Sequence, residues 1–244
     1  MTDDKHAKTA IVFGGSRGIG AAIAARFAKD GFAVGLTYAS RADKAEALVQ
    51  TIDAVGGKAM AIKADSSNPE EIRMAVDATV DAFGSLQAAV INAGIMVRGT
   101  IESVRVEDLD QILSVNVRGV FLAMQAAAAR MSDGGRIITI GSNTAVRSSF
   151  PGSSLYAMSK AAVATMVKGV AIDLAPRRIT VNNVQPGPTE TDMTGPAVGR
   201  LAEMSPLRRV GQPDEIAALA AYLASAEAGY MTGSSLTIDG GFAL

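Results

Sequence analysis

A tyrosine and a lysine stand four residues apart in the segment LYAMSKAAV, residues 155–163. On a helix, side chains at positions i and i+4 lie on one face, so the Tyr156 phenol and the Lys160 ammonium can point at the same place. A phenol held beside a cation is a candidate acid–base catalyst. The alternative is an ordinary amphipathic helix in which the tyrosine packs and the lysine extends to solvent. The rest of the chain must decide between the two.

A glycine-rich loop, GGSRGIGAAIAARF at residues 14–27, follows the first apolar run. Gly14, Gly18 and Gly20 permit a tight turn, a close approach of backbone to a diphosphate and close packing of a helix on a strand. The start of the helix that follows offers free N–H groups to phosphate. A loop in this position, between a strand and a helix, predicts dinucleotide binding, with an ordinary turn as the alternative.

The elements that must position these residues alternate along the chain. Apolar runs predict strands at 9–13, 33–38, 59–65, 88–92, 136–140, 179–184 and 235–238. Several are apolar on successive residues, as expected where both faces of a sheet are covered. No linker, repeat or low-complexity tract interrupts the alternation. We therefore predict an α/β fold: one Rossmann-type, doubly wound parallel sheet of about seven strands with helices on both faces, and a single domain over residues 1–244.

The helical segments carry terminal signals. The segment 20–31 ends at Gly31 in a plausible C-cap position, and the segment 66–84 begins with Asn68 as a cap and Pro69 in the first turn. Two longer helices are predicted at about 107–131 and 154–174, the second ending before Pro176.

Composition excludes several classes of function. Of 244 residues, 48% are hydrophobic and 19% charged, and 23 basic residues balance 24 acidic ones. No basic field is present for nucleic acid or an anionic membrane. There is no cysteine and the only histidine is His6, which argues against thiolate chemistry and a catalytic zinc, so we expect no metal. The N-terminus lacks signal-peptide order and no apolar run reaches about 18 residues, so we expect a cytoplasmic protein.

The glycine spacing, G-x-x-x-G-x-G, resembles that of the short-chain dehydrogenase/reductase family, and the resemblance extends over nearly the whole chain. Further family motifs follow in order: NAG at 92–94, Asn116 in SVNVRG, Ser142 after the fifth strand, Tyr156 with Lys160, QPGPTETDM at 185–193 and TIDGG at 237–241. The resemblance implies that Asn116, Ser142, Tyr156 and Lys160 are the catalytic residues, and it favours the catalytic interpretation of the tyrosine–lysine pair.

The resemblance also implies the role of each. Tyr156 gives a proton to a carbonyl oxygen while hydride passes from nicotinamide to the carbonyl carbon. Lys160, together with the positive ring of oxidised nicotinamide, lowers the pKa of Tyr156 and favours the phenolate, and Lys160 also holds the cofactor ribose. Ser142 hydrogen-bonds the substrate oxygen, and Asn116 anchors a water that links Lys160 to solvent.

The predicted cofactor residues come from the glycine loop, from the segments after strands and from the tyrosine–lysine helix, and all but Arg17, Ser40 and Arg41 are implied by the resemblance. They are Gly14, Ser16, Arg17, Gly18, Ile19, Gly20, Ser40, Arg41, Asp65, Ser66, Asn92, Ala93, Gly94, Tyr156, Lys160, Pro186, Gly187, Thr189 and Thr191.

The cofactor is predicted to be NADP(H). An NAD site places an acid near the end of the second strand, but LTYASRADK has none before Asp43. Arg17 and Arg41 instead suit a 2′-phosphate, which takes bidentate hydrogen bonds, although both can equally be surface arginines. Asp65 resembles the family's adenine-contacting acid, with a turn or helix cap as the alternative.

The chain departs from the family pattern in two places. Phe13 stands where the family usually has Thr, so a hydrogen bond that braces the NAG turn is lost. The interval from Ser142 to Tyr156 is fourteen residues, about one longer than is common, and contains SSFPG. We expect the longer loop to reshape the substrate wall.

Residues 189–211 are predicted to form a mobile lid over the substrate. An apolar pocket under it is predicted from six side chains, each of which is also an ordinary core candidate: Met96, Val97, Val146, Phe150, Met193 and Met204.

The favoured function is NADPH-dependent reduction of a ketone, either a 3-oxoacyl compound or a small ketone. Two alternatives stay open: a cyclic-dinucleotide-binding regulatory protein of the same fold, because the segments from Gly141 onward also resemble that type, and an NAD-linked alcohol or sugar dehydrogenase. The resemblance further implies a homotetramer in which the two long helices pack across one interface and the last strand across another.

Overall fold

The computed structural model describes residues 8–148 and 150–244, so His6 and Ser149 lie outside the described residues. A seven-stranded sheet has the order β3-β2-β1-β4-β5-β6-β7, and every neighbouring pair is parallel. The strands are β1 Lys8–Phe13, β2 Phe32–Tyr38, β3 Lys58–Lys63, β4 Leu86–Ile91, β5 Met131–Ile140, β6 Thr180–Pro186 and β7 Ser235–Ile238. The predicted doubly wound fold is confirmed.

Helices cover both faces of the sheet. They are α1 Gly18–Lys29, α2 Ala42–Ala54, α3 Pro69–Phe83, α4 Val106–Leu113, α5 Val120–Arg130, α6 Ser154–Leu174, α7 Val198–Met204 and α8 Pro213–Ala224. One buried cluster joins the sheet to α1 and α8, with Phe27 and Ile216 among its members. The other joins it to α3, α5 and α6 and includes Met124 and Val163. Burial of these apolar side chains on both faces is the main stabilising contribution.

Strands β3 and β5 have other ends than the sequence predicted. The fifth strand begins at Met131 rather than at 136, because Leu86 pairs with Met131 and Ala88 with Arg136 across a bulge that contains Gly134. No apolar pattern marks such an irregular start. The third strand ends at Lys63, so Asp65 lies in the following turn rather than at the strand end.

The predicted caps are confirmed. After α1, Gly31 has a φ of 89°, the left-handed conformation that glycine adopts without strain. At the start of α3, the Asn68 side chain accepts hydrogen bonds from the N–H groups of Glu70 at 3.0 Å and Glu71 at 3.4 Å. Helix α6 has the predicted bounds.

The segment predicted as one long helix at 107–131 is continuous but not regular. A π-helical stretch, Ser114–Gly119, separates α4 from α5. The apolar spacing runs through this stretch, so the sequence pattern alone predicted an uninterrupted α-helix. The π-turn contains Asn116, and such turns are often found at functional sites.

Two helical segments, Val106–Arg130 and Ser154–Arg177, are long and apolar enough to cross a membrane by length and composition. The expectation that no segment reaches this length was therefore wrong. Both segments contribute side chains to the cluster beneath the sheet, among them Val120 and Val167. Core helices of globular folds satisfy the same test, so the two segments are weak evidence for a membrane.

Candidate functional site

The glycine loop joins the end of β1 to the start of α1 and is too crowded for side chains. Gly14 and Gly18 have φ values of 71° and 52°. A Cβ on Gly20 would overlap the carbonyl oxygen of Gly14 and lie 2.5 Å from the Asn92 amide nitrogen. The backbone therefore presents an open cradle at the N-terminus of α1, where N–H groups and the helix dipole favour phosphate. This donor set fits the diphosphate of a dinucleotide.

The NAG turn is braced in spite of the buried Phe13. The Asn92 side chain donates to the Gly14 carbonyl at 2.8 Å, and its backbone N–H donates to the Phe13 carbonyl at 3.2 Å. The Thr37 hydroxyl accepts from the Gly14 N–H at 2.9 Å. The hydrogen bond that a threonine at residue 13 would make is absent, and these other hydrogen bonds, for which the sequence carries no signal, hold the turn instead. Asn92 and Thr37 supply them from neighbouring strands.

Tyr156 and Lys160 lie on the first two turns of α6 and share one face. The Lys160 ammonium is 5.7 Å from the centre of the Tyr156 ring. It also donates to the Ile140 carbonyl at the end of β5, at 2.9 Å. Lys160 is only 4% exposed, so the alternative of a lysine that extends to solvent is wrong.

Burial changes the acidity of both groups. It raises the pKa of Tyr156 to about 12, and a hydrogen bond with Ser142 opposes this rise. Burial also lowers the pKa of Lys160 to about 8. Burial raises the pKa of the phenol because it disfavours the charged phenolate. The expected lowering of this pKa by Lys160 together with the ring of oxidised nicotinamide concerns the cofactor complex and stays a prediction.

Ser142 follows β5 and is held by the short 3₁₀ turn Asn143–Ala145. Its hydroxyl accepts from the Thr144 N–H at 3.2 Å and from the Thr144 hydroxyl at 2.9 Å. Ser142 is 93% buried, and its hydroxyl is near enough to the Tyr156 phenol to oppose the rise of the phenol pKa.

Asn116 is fully buried and clamps the segment after the NAG motif. Its Oδ1 accepts from the Ile95 N–H at 2.9 Å, and its Nδ2 donates to the Ile95 carbonyl at 2.9 Å and to Ser159 at 3.1 Å. A Cβ on Gly94 would be 3.4 Å from both the Asn116 Oδ1 and the Lys160 ammonium. Gly94 thus lets the amide and the ammonium lie near the same backbone position.

The segment after β6 reaches back to the glycine loop. The Gly187 N–H donates to the Ile238 carbonyl at 3.0 Å, and the Thr189 hydroxyl donates to the Gly187 carbonyl at 3.0 Å. The Thr191 methyl carbon is 3.1 Å from the position of a Cβ on Gly18. Predicted cofactor residues more than 170 positions apart in sequence are therefore neighbours.

The basic residues near α2 are paired with acids. The Arg17 guanidinium is 3.4 Å from an Asp192 carboxylate oxygen, and the Lys44 ammonium is 3.0 Å from the same oxygen. These groups lie at a cleft of about 750 Å³, whose lining also includes Ser16 and Thr191. Lys44 was missed in the sequence analysis, because a single lysine on a helix carries no distinguishing signal.

Arg41 makes its closest contacts outside that cleft. It forms a bidentate pair with Asp43 at 2.9 and 2.7 Å. This pairing raises the pKa of Arg41, with a smaller contribution from the charge of Asp192, and lowers the pKa of Asp43 to about 2. Arg41 is thus an exposed arginine paired with Asp43, as the alternative interpretation had it. Its binding of a phosphate stays a prediction.

The remaining predicted cofactor residues lie on the same edge of the sheet. The Asp65 carboxylate accepts from the Ser67 N–H at 2.8 Å, so it caps a turn, as the alternative interpretation had it. The Ser66 carbonyl abuts Gly119 at the end of the π-turn, and Ala93 lies against Gly14. Ile19 packs on the core, whereas Ser40 is exposed after β2.

The predicted pocket residues fall into two groups. Val146, Met193 and Met204 are 63%, 49% and 45% exposed, so their interpretation as ordinary core residues was wrong. Met96, Val97 and Phe150 are partly buried. The segment 189–211 contains a 3₁₀ turn, Gly195–Ala197, and helix α7, so it is less irregular than the sequence indicated. Its action as a lid stays a prediction.

Comparisons with known proteins match nearly the whole chain. A family model described as enoyl-(acyl carrier protein) reductase matches residues 14–243. A short-chain dehydrogenase/reductase from Serratia marcescens is 51% identical, with a TM-score of 0.95 over 97% of this chain and 98% of its own. A short-chain dehydrogenase from Burkholderia cenocepacia, solved in complex with NADP, is 46% identical, with a TM-score of 0.94 and the same coverage.

Another relative is named for binding a ligand rather than for catalysing a reaction. The cyclic-di-GMP-binding biofilm dispersal mediator protein of Escherichia coli K12 is 42% identical over 238 residues, which is 96% of this chain and 97% of that protein.

Proposed function

We propose that this chain, which belongs to the short-chain dehydrogenase/reductase family, uses NADPH to reduce a ketone to a secondary alcohol. One observation carries the proposal: Tyr156, Ser142 and Lys160 converge at the carboxyl edge of the sheet, beside the glycine cradle. The Lys160 ammonium lies 5.7 Å from the centre of the phenol ring, and Ser142 is near enough to the phenol to oppose the rise of its pKa. Ligands of such open parallel sheets bind at this edge.

The choice of NADP(H) is supported by charge. The mouth of the cleft next to α1 contains the cations of Arg17 and Lys44, and β2 has no acid at its end to accept from an unmodified ribose. Two cations within 3.4 Å of one carboxylate oxygen can equally receive a phosphate. The NADP complex of the Burkholderia cenocepacia relative supports the same choice.

The bound cofactor supplies a hydride at the nicotinamide ring. The protein must hold a ketone oxygen so that its carbon faces that ring, and it must deliver a proton to the oxygen. The Ser142 hydroxyl, fixed by two hydrogen bonds from Thr144, is the group that hydrogen-bonds the oxygen and stabilises its developing charge.

Tyr156 donates the proton. Since burial raises its pKa to about 12, the phenol keeps its proton at neutral pH and is a donor rather than a base. Lys160 lies behind the ring and becomes the cation that stabilises the phenolate after transfer; its buried contact with the Ile140 carbonyl holds it there.

Replacing Tyr156 with Phe tests the proposal. The variant removes one oxygen and leaves the helix intact, so NADPH should still bind, whereas turnover should fall by about 10³-fold because the proton donor is gone. NADPH oxidation at 340 nm with a panel of ketones measures turnover, and quenching of nucleotide fluorescence measures binding. Tyr230→Phe, at a fully exposed tyrosine, is the matched control. Undiminished turnover in Tyr156→Phe would contradict the proposal.

A cyclic-dinucleotide-binding function is the second candidate, because the Escherichia coli relative has that name. The same panel separates the two. A wild-type protein that oxidises no NADPH with any ketone but binds cyclic di-GMP in calorimetry would favour the second candidate. Turnover of a ketone without such binding would favour the first. An NAD-linked dehydrogenase would instead be indicated by a preference for NADH.

The oligomeric state is also a proposal. Helices α5 and α6 expose Phe121, Met158 and Ile172 at 45% or more, and the last residue, Leu244, is 92% exposed beyond β7. Apolar side chains on these elements support the homotetramer that the family resemblance implies. Light scattering of the purified protein tests it.

A further inference from the structure

The carboxylate of Asp239 connects three parts of the site that are distant in sequence. Asp239 follows β7 and precedes two glycines with φ values of 63° and 83°. Its two oxygens accept from the N–H groups of Gly241 at 2.9 Å and Ala243 at 2.8 Å. These bonds fold the last six residues into a compact turn.

The same carboxylate holds the residue next to the candidate catalytic serine. One Asp239 oxygen accepts from the Asn143 amide at 3.1 Å, and Asn143 is 95% buried. Asn143 begins the 3₁₀ turn whose N–H group at Thr144 fixes the Ser142 hydroxyl. The orientation of that hydroxyl is therefore linked to Asp239 through one residue.

Asp239 also packs against the turn after β6. A Cβ on Gly187 would overlap the Cβ of Asp239 and lie 2.7 Å from its Cα. Pro186 and Gly187 are among the residues predicted to hold the cofactor. The backbone of Asp239 thus lies beside the cofactor turn, and its carboxylate reaches the serine turn.

The folded C-terminal segment contacts the lid and the loop before α6. The Gly240 carbonyl accepts from the Ser205 hydroxyl and the Leu207 N–H, both at 3.4 Å. The Phe242 ring lies 6.2 Å from the Phe150 ring, centre to centre. This aromatic pair bridges the C-terminus and the lengthened loop between Ser142 and Tyr156.

We propose that Asp239 is a positioning residue: through Asn143 it fixes the Ser142 hydroxyl relative to the cofactor turn, and through its C-terminal turn it holds Phe242 against Phe150 as a wall of the substrate pocket. The inference rests on the proposed reductase function for its kinetic consequences. Its structural part concerns the order of the serine turn and does not depend on turnover.

Asp239→Asn tests the first link. The substitution keeps the volume and the packing on Gly187, so the NADPH dissociation constant should change by less than about 2-fold. The carboxylate oxygens face three N–H donors, and an amide can accept from only some of them. A displaced serine should lower kcat by about 10- to 100-fold with a smaller change in KM, because small misplacements of a reacting group have large effects on rate.

A double substitution provides the rescue. In Asn143→Asp with Asp239→Asn, the hydrogen bond re-forms with donor and acceptor exchanged, so kcat should recover at least several-fold over Asn143→Asp, in which two carboxylates face each other. Phe242→Ala leaves these bonds in place and should raise KM for bulky ketones while kcat for small ones is retained. Asp53→Asn, on the exposed face of α2, is the matched control.

Amide hydrogen exchange provides a readout independent of turnover. In Asp239→Asn, exchange should accelerate at Thr144, Gly241 and Ala243, even if the wild type reduces none of the ketones tested. Acceleration at these amides with a silent wild type would uphold the positioning inference and contradict the proposed function. Unchanged exchange at Thr144, or a double variant no better than Asn143→Asp, would overturn the inference.

Discussion

Two regions beside the same cleft are built in opposite ways. Around the glycine loop and the catalytic candidates, polar groups are buried and partnered, and among the described residues no buried side-chain nitrogen or oxygen lacks a hydrogen-bond partner. At the mouth, Arg17, Lys44 and Asp192 are 36% to 59% exposed and paired with one another. The first region has one arrangement that packing imposes, whereas the second can exchange partners when an anion arrives.

The first region therefore depends on exact geometry, and the second depends on charge. Exposed ion pairs contribute little to stability because water and salt compete with them. Buried groups such as Asn116 cannot leave their partners without a large cost. We therefore expect substitutions in the first region to affect both stability and turnover, and substitutions in the second to affect affinity for the cofactor alone.

The largest effect is expected for Gly20→Ala. The added methyl group overlaps the Gly14 carbonyl, so the loop must move, which should abolish measurable NADPH binding and lower the free energy of unfolding by about 2–4 kcal/mol. Gly169→Ala, on the open face of α6, is the control and should be neutral or stabilising by up to about 1 kcal/mol. Denaturant unfolding and nucleotide fluorescence measure both. Equal behaviour of the two variants would contradict the crowding described for the loop.

A pH-dependent effect is expected for Lys160→Met. Burial lowers the pKa of Lys160 from 10.5 to about 8, so between these values the unfolded wild-type chain binds more protons than the folded one. Wild-type stability should therefore rise with pH across this window relative to the variant, by an amount on the order of 2–3 kcal/mol. Urea unfolding at pH 7.5, 9 and 10.5 measures the difference. A difference that is constant with pH would mean that Lys160 titrates normally.

A smaller effect, confined to affinity, is expected for Arg17→Ala. The NADPH dissociation constant should rise by about 10-fold while that for NADH stays within about 2-fold, because only NADPH carries the 2′-phosphate. Arg26→Ala, on helix α1, which Arg17 precedes, is the matched control because Arg26 is paired with Asp30. Calorimetry at two salt concentrations measures both, and the difference should shrink at the higher one. If the variant lost affinity for NADPH and NADH equally, Arg17 would not be a ligand of the 2′-phosphate.

The smallest effect is expected for Asp192→Asn. The substitution frees Arg17 and Lys44 from their carboxylate partner, so NADPH should bind about 2- to 5-fold more tightly. Thermal stability should not change, since the pairs are exposed. Weaker binding in this variant would mean that Asp192 orders the lid for the nucleotide instead of competing with it.

The sequence predicted most of the fold because local signals agreed with the tertiary structure. The glycine after α1, the cap at Asn68 and the bounds of α6 all depend on residues within a few positions of the element end. The early start of β5 and the π-turn at Ser114–Gly119 depend on pairing and packing with distant segments, which no local pattern records.

The candidate site divides in the same way. Motif spacing identified Tyr156 and Lys160 as neighbours, but the direction of the tyrosine pKa shift depends on burial, and burial comes from the assembled structure. Lys44 and Asp192 are 148 positions apart, so their pairing appears only in the structure. The same holds for the contact of Asp239 with Asn143, 96 positions apart, although the TIDGG motif indicated the segment.

Because of the π-turn in the long helix, the number of residues between α4 and α5 affects the chemistry of the site. A π-turn accommodates one residue more than the α-helical path around it. Excision of a single residue between 114 and 119 would let the hydrogen-bond ladder revert to the α-helical pitch while α4 and α5 stay in register, because the residue removed is the one that the widened turn absorbs. The side chains inside the turn would change direction, so the clamp of the Asn116 amide on Ile95 depends on that one extra residue.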